Sequence, residues 1–200
     1  MNKWDERYNR RDYVYGDQPN EFLVQVEGYI PMGNVLCLGE GEGRNAVFLA
    51  SQGYEVTAVD ASRVGLFKAE ELAQRHGVSI TTVVSDLAHY DIGVNAWQGI
   101  VSIFCHLEPS LRRRVHRACV QGLAPGGAMV LEAFSPQQLN NQTGGPKALD
   151  LLMSLRDLKE DFSGLVLKIA REIICDRVEG LFHTGESALV QILGVKPVLV

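Results

Sequence analysis

The residues that could do chemistry cluster first around a glycine loop. Val35-Leu36-Cys37-Leu38-Gly39-Glu40-Gly41-Glu42-Gly43-Arg44-Asn45 runs from an apolar stretch, through glycines, into a helical pattern. Glycines there let the backbone turn sharply and let a ligand approach the main chain. Asp60 closes the next apolar run and is followed by Ala61 and Ser62; Asp86, followed by Leu87, closes the one after. A carboxylate at Asp60 can accept from a pair of hydroxyls, and one at Asp86 from an exocyclic amine. Either acid alone would pass for a loop cap. A glycine loop and two acids at the ends of three successive runs form a specific constellation.

Other candidates lie further along. Phe104, Cys105 and His106 follow the fourth apolar run, and His183 lies between the last two. Either imidazole is a candidate general base. The alternatives are a loop histidine bonded to backbone for His106 and an exposed turn residue for His183. Glu132 stands inside an apolar run, where an acid either meets a partner in the site or is paired structurally. Arg44 can meet a ligand carboxylate or serve as a helix surface charge. Trp4, Tyr8, Tyr13 and Tyr15 precede the first strand. They either pack an arm onto the core or close over a ligand, with Tyr13 and Tyr15 as candidate substrate or lid contacts. The cysteines, Cys37, Cys105, Cys119 and Cys175, have no CxxC spacing and no histidine cluster beside them, so no metal is expected.

These residues need positioning elements, and the hydrophobic pattern supplies them. Apolar runs at 34–38, 55–59, 80–84, 100–104 and 128–134 alternate with helical patterns at 44–52, after Ser62, and at 110–120. That alternation predicts a parallel sheet with crossover helices. A polar loop over 136–146 and a helix over 148–162 follow. Strands at 165–178 and 188–195 are joined by a connection over 179–186 too short for a helix, so they are expected to be antiparallel neighbours.

The bulk numbers narrow the class. The chain has 200 residues, enough for one domain; it is 46% hydrophobic and 22% charged, as a globular core requires. A net charge of −5 argues against a general nucleic-acid binder. The run Arg112-Arg113-Arg114 with Arg117 reads as a solvated helix face. The N-terminus has no signal-like region and no stretch is long enough to span a bilayer, so a cytoplasmic protein without membrane association is expected.

Gly41, Gly43 and Ala46 also satisfy the dinucleotide spacing, but Glu40 and Glu42 would repel a pyrophosphate at the helix start. S-adenosylmethionine carries a sulfonium and an ammonium and no phosphate, which suits an acidic loop. With these features in place, the chain resembles the class I S-adenosylmethionine-dependent methyltransferases, near the branch grouped with tellurite-resistance and small-molecule enzymes. The resemblance rests on Leu38 to Ala46, Val59-Asp60-Ala61-Ser62, Ser85-Asp86-Leu87, Val101 to Leu107 and Pro125-Gly126-Gly127. Tyr13 to Asn20 and Glu179 to Gly185 also look family-like. It implies an α/β, Rossmann-like doubly wound sheet of seven strands, mostly parallel with an antiparallel last strand, in a single domain over 1–200. That domain divides into an arm or lid (1–30), a cofactor-binding core (34–134), a loop and helix (135–164) and a C-terminal hairpin (165–200).

The resemblance further implies that Gly39, Gly41 and Gly43 line the methionine part of the cofactor. Asp60 would bind ribose, Asp86 with Leu87 the adenine edge, and Phe104-Cys105-His106 the floor beside the reactive methyl. Two positions depart from the family: Cys37 stands where an acid is usual, with Glu40 the nearest compensating acid, and Gln98 stands where an acid is frequent. The expected activity is methyl transfer to a small molecule, such as tellurite, selenite, a thiol or a similar soft nucleophile, releasing S-adenosylhomocysteine. An anionic acceptor needs no general base; a hydroxyl or amine does. Two alternatives stand beside it: a non-catalytic S-adenosylmethionine sensor, supported by Cys37, and a nicotinamide-dependent reductase, for whose substrate region the chain has little room. Monomer and weak dimer both remain open.

Overall fold

The apolar runs pair into one sheet. The computed structural model describes residues 2–141, 143–180 and 183–198, with His183 described by its backbone alone. The strands are β1 (Asn34–Leu38), β2 (Glu55–Asp60), β3 (Thr81–Val84), β4 (Trp97–Ile103), β5 (Leu123–Phe134), β6 (Val166–Glu179) and β7 (His183–Val195). Their order across the sheet is β3-β2-β1-β4-β5-β7-β6. β7 runs antiparallel to both of its neighbours and every other pairing is parallel, as expected. The helices are α1 (Lys3–Tyr8), α2 (Glu21–Val26), α3 (Arg44–Ser51), α4 (Arg63–Arg75), α5 (Pro109–Gly122) and α6 (Leu155–Asp161).

Alternation along each strand divides the core into two layers. Val35, Cys37, Val56, Ala58 and Val101 face one side, against Phe22 and Leu23 of α2 and Ala46 and Leu49 of α3. Leu36, Leu38, Ile100, Met129 and Leu131 face the other, against Val115 and Cys119 of α5 and Leu158 of α6. Central strands are therefore apolar on both faces, which is why their sequences read as unbroken runs. Helix starts fall where short polar side chains can cap them. Ser62 Oγ accepts from the Gly65 amide (3.0 Å), and Asn20 Oδ1 from the Leu23 amide (3.1 Å).

Three boundaries differ from expectation. The helix predicted over 148–162 starts only at Ser154, whose Oγ caps α6 through the Asp157 amide; a short 3₁₀ turn, Leu149–Leu151, precedes it. β5 begins at Leu123, with a register irregularity opposite Trp97 and Gly99 that absorbs Pro125-Gly126-Gly127. The first strand of the last hairpin falls where expected, but the second starts at His183, five residues before the expected 188. The hairpin ladder runs from Val166↔Val195 to Glu179↔His183, whereas β5 holds β7 only from Ala128↔Val195 to Phe134↔Leu189. The outer third of the hairpin projects past the end of β5 as a two-stranded arm. Its residues are solvated on one face, so they lack the apolar signature of a strand. Among the described residues, no helix is long and apolar enough to cross a membrane.

Candidate active site

The carboxyl ends of β1, β2, β4 and β5 open onto a cavity of ≈ 1120 Å³. Open parallel sheets bind ligands at this edge. A smaller hollow of ≈ 580 Å³ lies at the opposite, amino edge beside Asn34, Tyr54 and Trp97 and gathers none of the candidate residues.

The glycine loop forms the cavity's inner wall. Gly39 has φ +60°, and a Cβ there would stand 2.7 Å from Cys105 Sγ. Gly43 has φ +90°, and a Cβ would fall 2.4 Å from Cβ of Ala69 on α4. Both positions therefore combine a left-handed backbone with close approach. Gly39 lines the cavity; Gly41 is covered by Tyr8 and Gly43 packs on α4, so neither faces the open volume. Asp60 latches the loop: Oδ2 accepts from the Gly41 amide (2.9 Å) and Oδ1 from the Ser62 amide (2.7 Å). Burial raises its carboxyl above the usual range, and the two backbone donors oppose that shift. Asp60 and Ala61 both line the cavity, and each Asp60 oxygen can still accept a further bond; Ser62 is buried behind as the helix cap.

The two loop glutamates have separate fates. Glu40 folds back so that Oε1 accepts from the amides of Asn45 (3.0 Å) and Ala46 (2.7 Å). It thereby caps α3, which its N-cap residue, Gly43, cannot do. The Cys37 thiol bonds to the same carboxylate, and burial holds that thiol well above its ordinary range. Glu42 points toward the N-terminal arm. Its carboxylate pairs with Lys68 and accepts from the Val14 amide (2.7 Å). Arg44 lines the cavity but directs Nη2 to Glu179 (2.8 Å).

At the far end, Asp86 and Leu87 line the cavity with Val84, Leu107 and Leu111, an apolar slot with an acid at its rim. Asp86 Oδ1 accepts from the Ala88 amide (2.8 Å), which fixes the turn. The floor is aromatic. Phe104 holds φ +52°, unusual for a side chain with a Cβ, and its ring lies 4.8 Å from that of Phe134. His106 stacks on Phe134 at 5.7 Å. His106 Nδ1 lies 2.8 Å from the Leu151 carbonyl, which only accepts, so Nδ1 carries the proton, and Nε2 accepts from the Phe134 amide (3.5 Å). Cys105 lines the cavity between them, with its thiol pushed up to about 12 by burial.

The arm closes the outer side. Asn2 Nδ2 donates to the Ala61 carbonyl (2.7 Å) and Ser62 Oγ to Asp5 (2.7 Å), seating α1 over the start of α4. Trp4 stacks on Tyr8, Tyr15 meets Tyr8 edge-on, and Arg7 donates to the Tyr15 hydroxyl (2.8 Å); all four line the cavity. Thr143 to Pro146 and Thr184 complete the rim.

Besides Gly41, Gly43 and Ser62, the structure leaves Tyr13 and Glu132 away from this volume, although all five are expected in the site. Tyr13 does not line it: its hydroxyl donates to the Lys68 carbonyl (2.9 Å), and its ring packs beside Val47, Leu72 and Ala73 with Arg75 over it. Glu132 is fully buried behind it. It accepts two bonds from Arg177 (2.8 and 2.6 Å), one from Asn20 (2.6 Å) and one from Gln191 (2.5 Å). Its structural alternative is the one realised. The expected base His183 lies outside the described residues as far as its side chain is concerned. Tyr8, one of the arm aromatics expected to pack or to close over a ligand, lines the cavity, whereas the Asn20–Arg177–Glu179 cluster is not legible in the sequence. The spacing of Trp4 and Tyr8 was the available signal for the first; the second is assembled from three distant segments and had none. Among the described residues, no group of three His, Cys, Asp or Glu side chains is placed to hold a metal.

Comparison with known proteins gives this geometry a context. Residues 35–127 match a family model described as a methyltransferase domain. The chain is 25% identical over 141 residues to a 2-heptyl-1-hydroxyquinolin-4(1H)-one methyltransferase of Mycobacteroides abscessus, over 68% of this chain and 62% of that protein. It thus spans less than two thirds of that relative's length. Among solved structures, one concerned with conversion of a disulfide bond into a thioacetal group during echinomycin biosynthesis superposes with a TM-score of 0.76 at 18% identity, covering 96% of this chain and 88% of that one. TehB from Haemophilus influenzae gives 0.73 at 20% identity, covering 96% and 65%. Magnesium protoporphyrin IX methyltransferase from Synechocystis PCC 6803, solved with bound SAH, gives 0.63 at 16% identity, covering 86% and 78%. These structural likenesses establish a shared fold.

Proposed function

We propose that this chain, whose residues 35–127 match a methyltransferase domain, is a class I S-adenosylmethionine-dependent methyltransferase whose cavity takes S-adenosylmethionine along its inner wall and a small, flat, soft nucleophile on its aromatic floor. The observation that carries this reading is the continuity of one cavity from Asp86 and Asp60, past Gly39, to Phe104, Phe134 and His106.

The residues present fit the cofactor. Gly39 brings bare backbone to the cavity wall at a point where Cys105 leaves no space for a Cβ. Asp60 is oriented by two amides and can accept from vicinal hydroxyls. Asp86, beside Val84, Leu87, Leu107 and Leu111, suits the edge and faces of an adenine. A dinucleotide fits poorly. Its pyrophosphate would need the amides at the start of α3, and the Glu40 carboxylate already accepts two of them. That observation weighs against the nicotinamide-dependent alternative.

When bound, S-adenosylmethionine supplies an electrophilic methyl carbon on a positively charged sulfur. The protein's own residues must then align a nucleophile and keep water out. Phe104 and Phe134 provide a dry floor, and Trp4, Tyr8 and Tyr15 a roof. His106, with its proton fixed on Nδ1 by Leu151, holds Nε2 against the Phe134 amide at 3.5 Å, a long contact that a hydroxyl or thiol donor would displace to pass its proton to that nitrogen. An acceptor that arrives as an anion needs no such step.

The wall chemistry favours an aromatic hydroxyl or a thiol over a bare oxyanion such as tellurite or selenite. The cations that line the cavity are engaged: Arg7 with the Tyr15 hydroxyl and the Trp4 ring, Lys3 with the same ring, and Arg44 with Glu179. The names of two relatives, one acting on a hydroxyquinolone and one on a disulfide-derived sulfur, agree with that preference. The test is transfer of labelled methyl to a panel of hydroxyquinolones, phenols, aromatic and aliphatic thiols, tellurite and selenite. Turnover confined to the oxyanions would overturn the acceptor reading. Binding of S-adenosylhomocysteine with no turnover on any acceptor would favour the sensor. Binding of NAD without S-adenosylhomocysteine would remove the cofactor reading altogether.

A further inference from the structure

We propose that Glu40 is the acid that receives the ammonium of the cofactor's methionine part, in place of any residue at the end of β1; the inference rests on the cofactor reading above.

The acids on the inner wall differ in what already holds them. Glu42 is neutralised by Lys68 and held by the Val14 amide. Asp60 takes two amides and, among the described residues, no ion pair, but it stands at the end of β2, where the cofactor reading above gives its remaining capacity to the ribose hydroxyls. Glu40 makes no ion pair among the described residues, although it lies on the cavity wall. Glu40 therefore has two amide donors and a thiol but no ion pair of its own, and Arg44, whose charge still reaches it, is bonded to Glu179 instead. A carboxylate in this state is costly to ionise, and burial pushes Glu40 up to about 7. A ligand ammonium entering the cavity would supply that ion pair.

Cys37 explains why the acid can sit there. Its side chain is fully buried directly beneath Glu40 and bonds to it. An aspartate at 37 would set two carboxylates in contact, and one of them would have to stay protonated. The small thiol and the loop glutamate are thus a matched pair, and only their joint exchange preserves one acid at this point.

Calorimetric binding of two ligands tests this. S-adenosylhomocysteine carries the ammonium; 5′-methylthioadenosine has the adenosine and thioether without it. Glu40→Gln keeps an oxygen for the α3 amides and loses the charge. We expect it to weaken S-adenosylhomocysteine about tenfold or more, the scale of a lost charged partner, and to leave 5′-methylthioadenosine within about twofold. The wild-type protein should lose affinity for S-adenosylhomocysteine alone as pH falls from about 7.5 to about 6, by up to about tenfold per unit, as Glu40 takes up a proton. The groups facing Glu40 are Cys37 on β1, Asp60 on β2 and Arg44 on α3. Cys37 and Asp60 do not distinguish the two ligands. Cys37→Asp combined with Glu40→Ala should restore most of the affinity that Glu40→Ala alone loses. Equal binding of S-adenosylhomocysteine by wild type and Glu40→Gln overturns the proposal, as does an equal loss of both ligands. Were Glu40→Gln unable to fold, the wild-type pH comparison of the two ligands would still decide. Failure of the wild-type protein to bind either ligand would overturn the cofactor reading itself, and this inference with it.

Discussion

Asp60 serves two structures at once. Its oxygens latch the glycine loop through Gly41 and cap the turn at Ser62, and the same carboxylate lines the cavity. Replacing it with Asn keeps the shape and removes the charge. We expect Asp60→Asn to weaken S-adenosylhomocysteine by about 1–3 kcal/mol, the cost of leaving hydroxyls without a charged acceptor. Calorimetry showing unchanged affinity would take Asp60 out of the site. His106 separates acceptor classes. With Nδ1 committed to Leu151, loss of Nε2 in His106→Phe should slow methyl transfer to a hydroxyl by about 10²–10⁴ and barely affect an ionised thiolate. Equal effects on both acceptors would assign His106 a packing role. These residues were legible in sequence because each sits where an apolar run ends, and such ends meet at one edge of a parallel sheet. Glu132 was legible only as an anomaly. Its surroundings depend on Arg177, 45 positions away, which no local pattern announces.

Between elements, the contacts that enclose the cavity come from both ends of the chain. Lys68, on α4, pairs with Glu42 and donates to the carbonyls of Arg10 (3.2 Å) and Asp12 (2.7 Å). It thereby ties the segment after α1 to the glycine loop. The hairpin reaches the same segment: a Cβ on Gly180 would fall 2.4 Å from the Gly16 amide nitrogen. Lys68→Met should release the arm, with faster amide exchange at Val14 and over residues 2–19 and little change in β1 or β4. Unaltered protection of the Val14 amide would show that the arm is held by its aromatic packing alone. The sequence pattern located most strands and the central helices. It missed the early start of β7 and the late start of α6, because solvated strand residues and a mid-segment Ser cap are weak signals against a polar background.

Across the molecule, one buried polar network joins the halves of the fold. Glu132 on β5, Arg177 and Glu179 on β6, Gln191 on β7, Asn20 ahead of α2 and Arg44 on α3 are all buried and mutually bonded. Glu132→Ala would leave the Arg177 guanidinium without its main partner. We expect a loss of about 3–5 kcal/mol in denaturant unfolding, partly recovered by a Glu132→Met, Arg177→Met double variant. A loss below about 1 kcal/mol would show that water replaces the carboxylate, as it does for exposed ion pairs. A second buried pair, His116 on α5 with Asp161 on α6 (2.7 Å), gives stability a pH dependence. Burial lowers the His116 pKa below its ordinary value, against the pull of Asp161. The unfolded chain then binds the proton more readily, so stability is full above the unfolded value of about 6.5 and declines as pH falls below it. Thermal unfolding should show that decline, and His116→Gln should reduce its slope.

The sequence by itself determined the order of strands and helices, the glycine turn, and the acids at strand ends, because period, capping and chain direction are local properties. Only the tertiary structure decided which residues face the cavity. Tyr8 and Tyr15 were brought to it and Tyr13 was not; Glu42 was turned to Lys68, Glu132 was sealed behind by Arg177, and Glu40 was left on the wall without an ion pair of its own among the described residues. Each of these outcomes depends on which distant charge or ring arrives alongside, and long-range packing sets that where periodicity cannot.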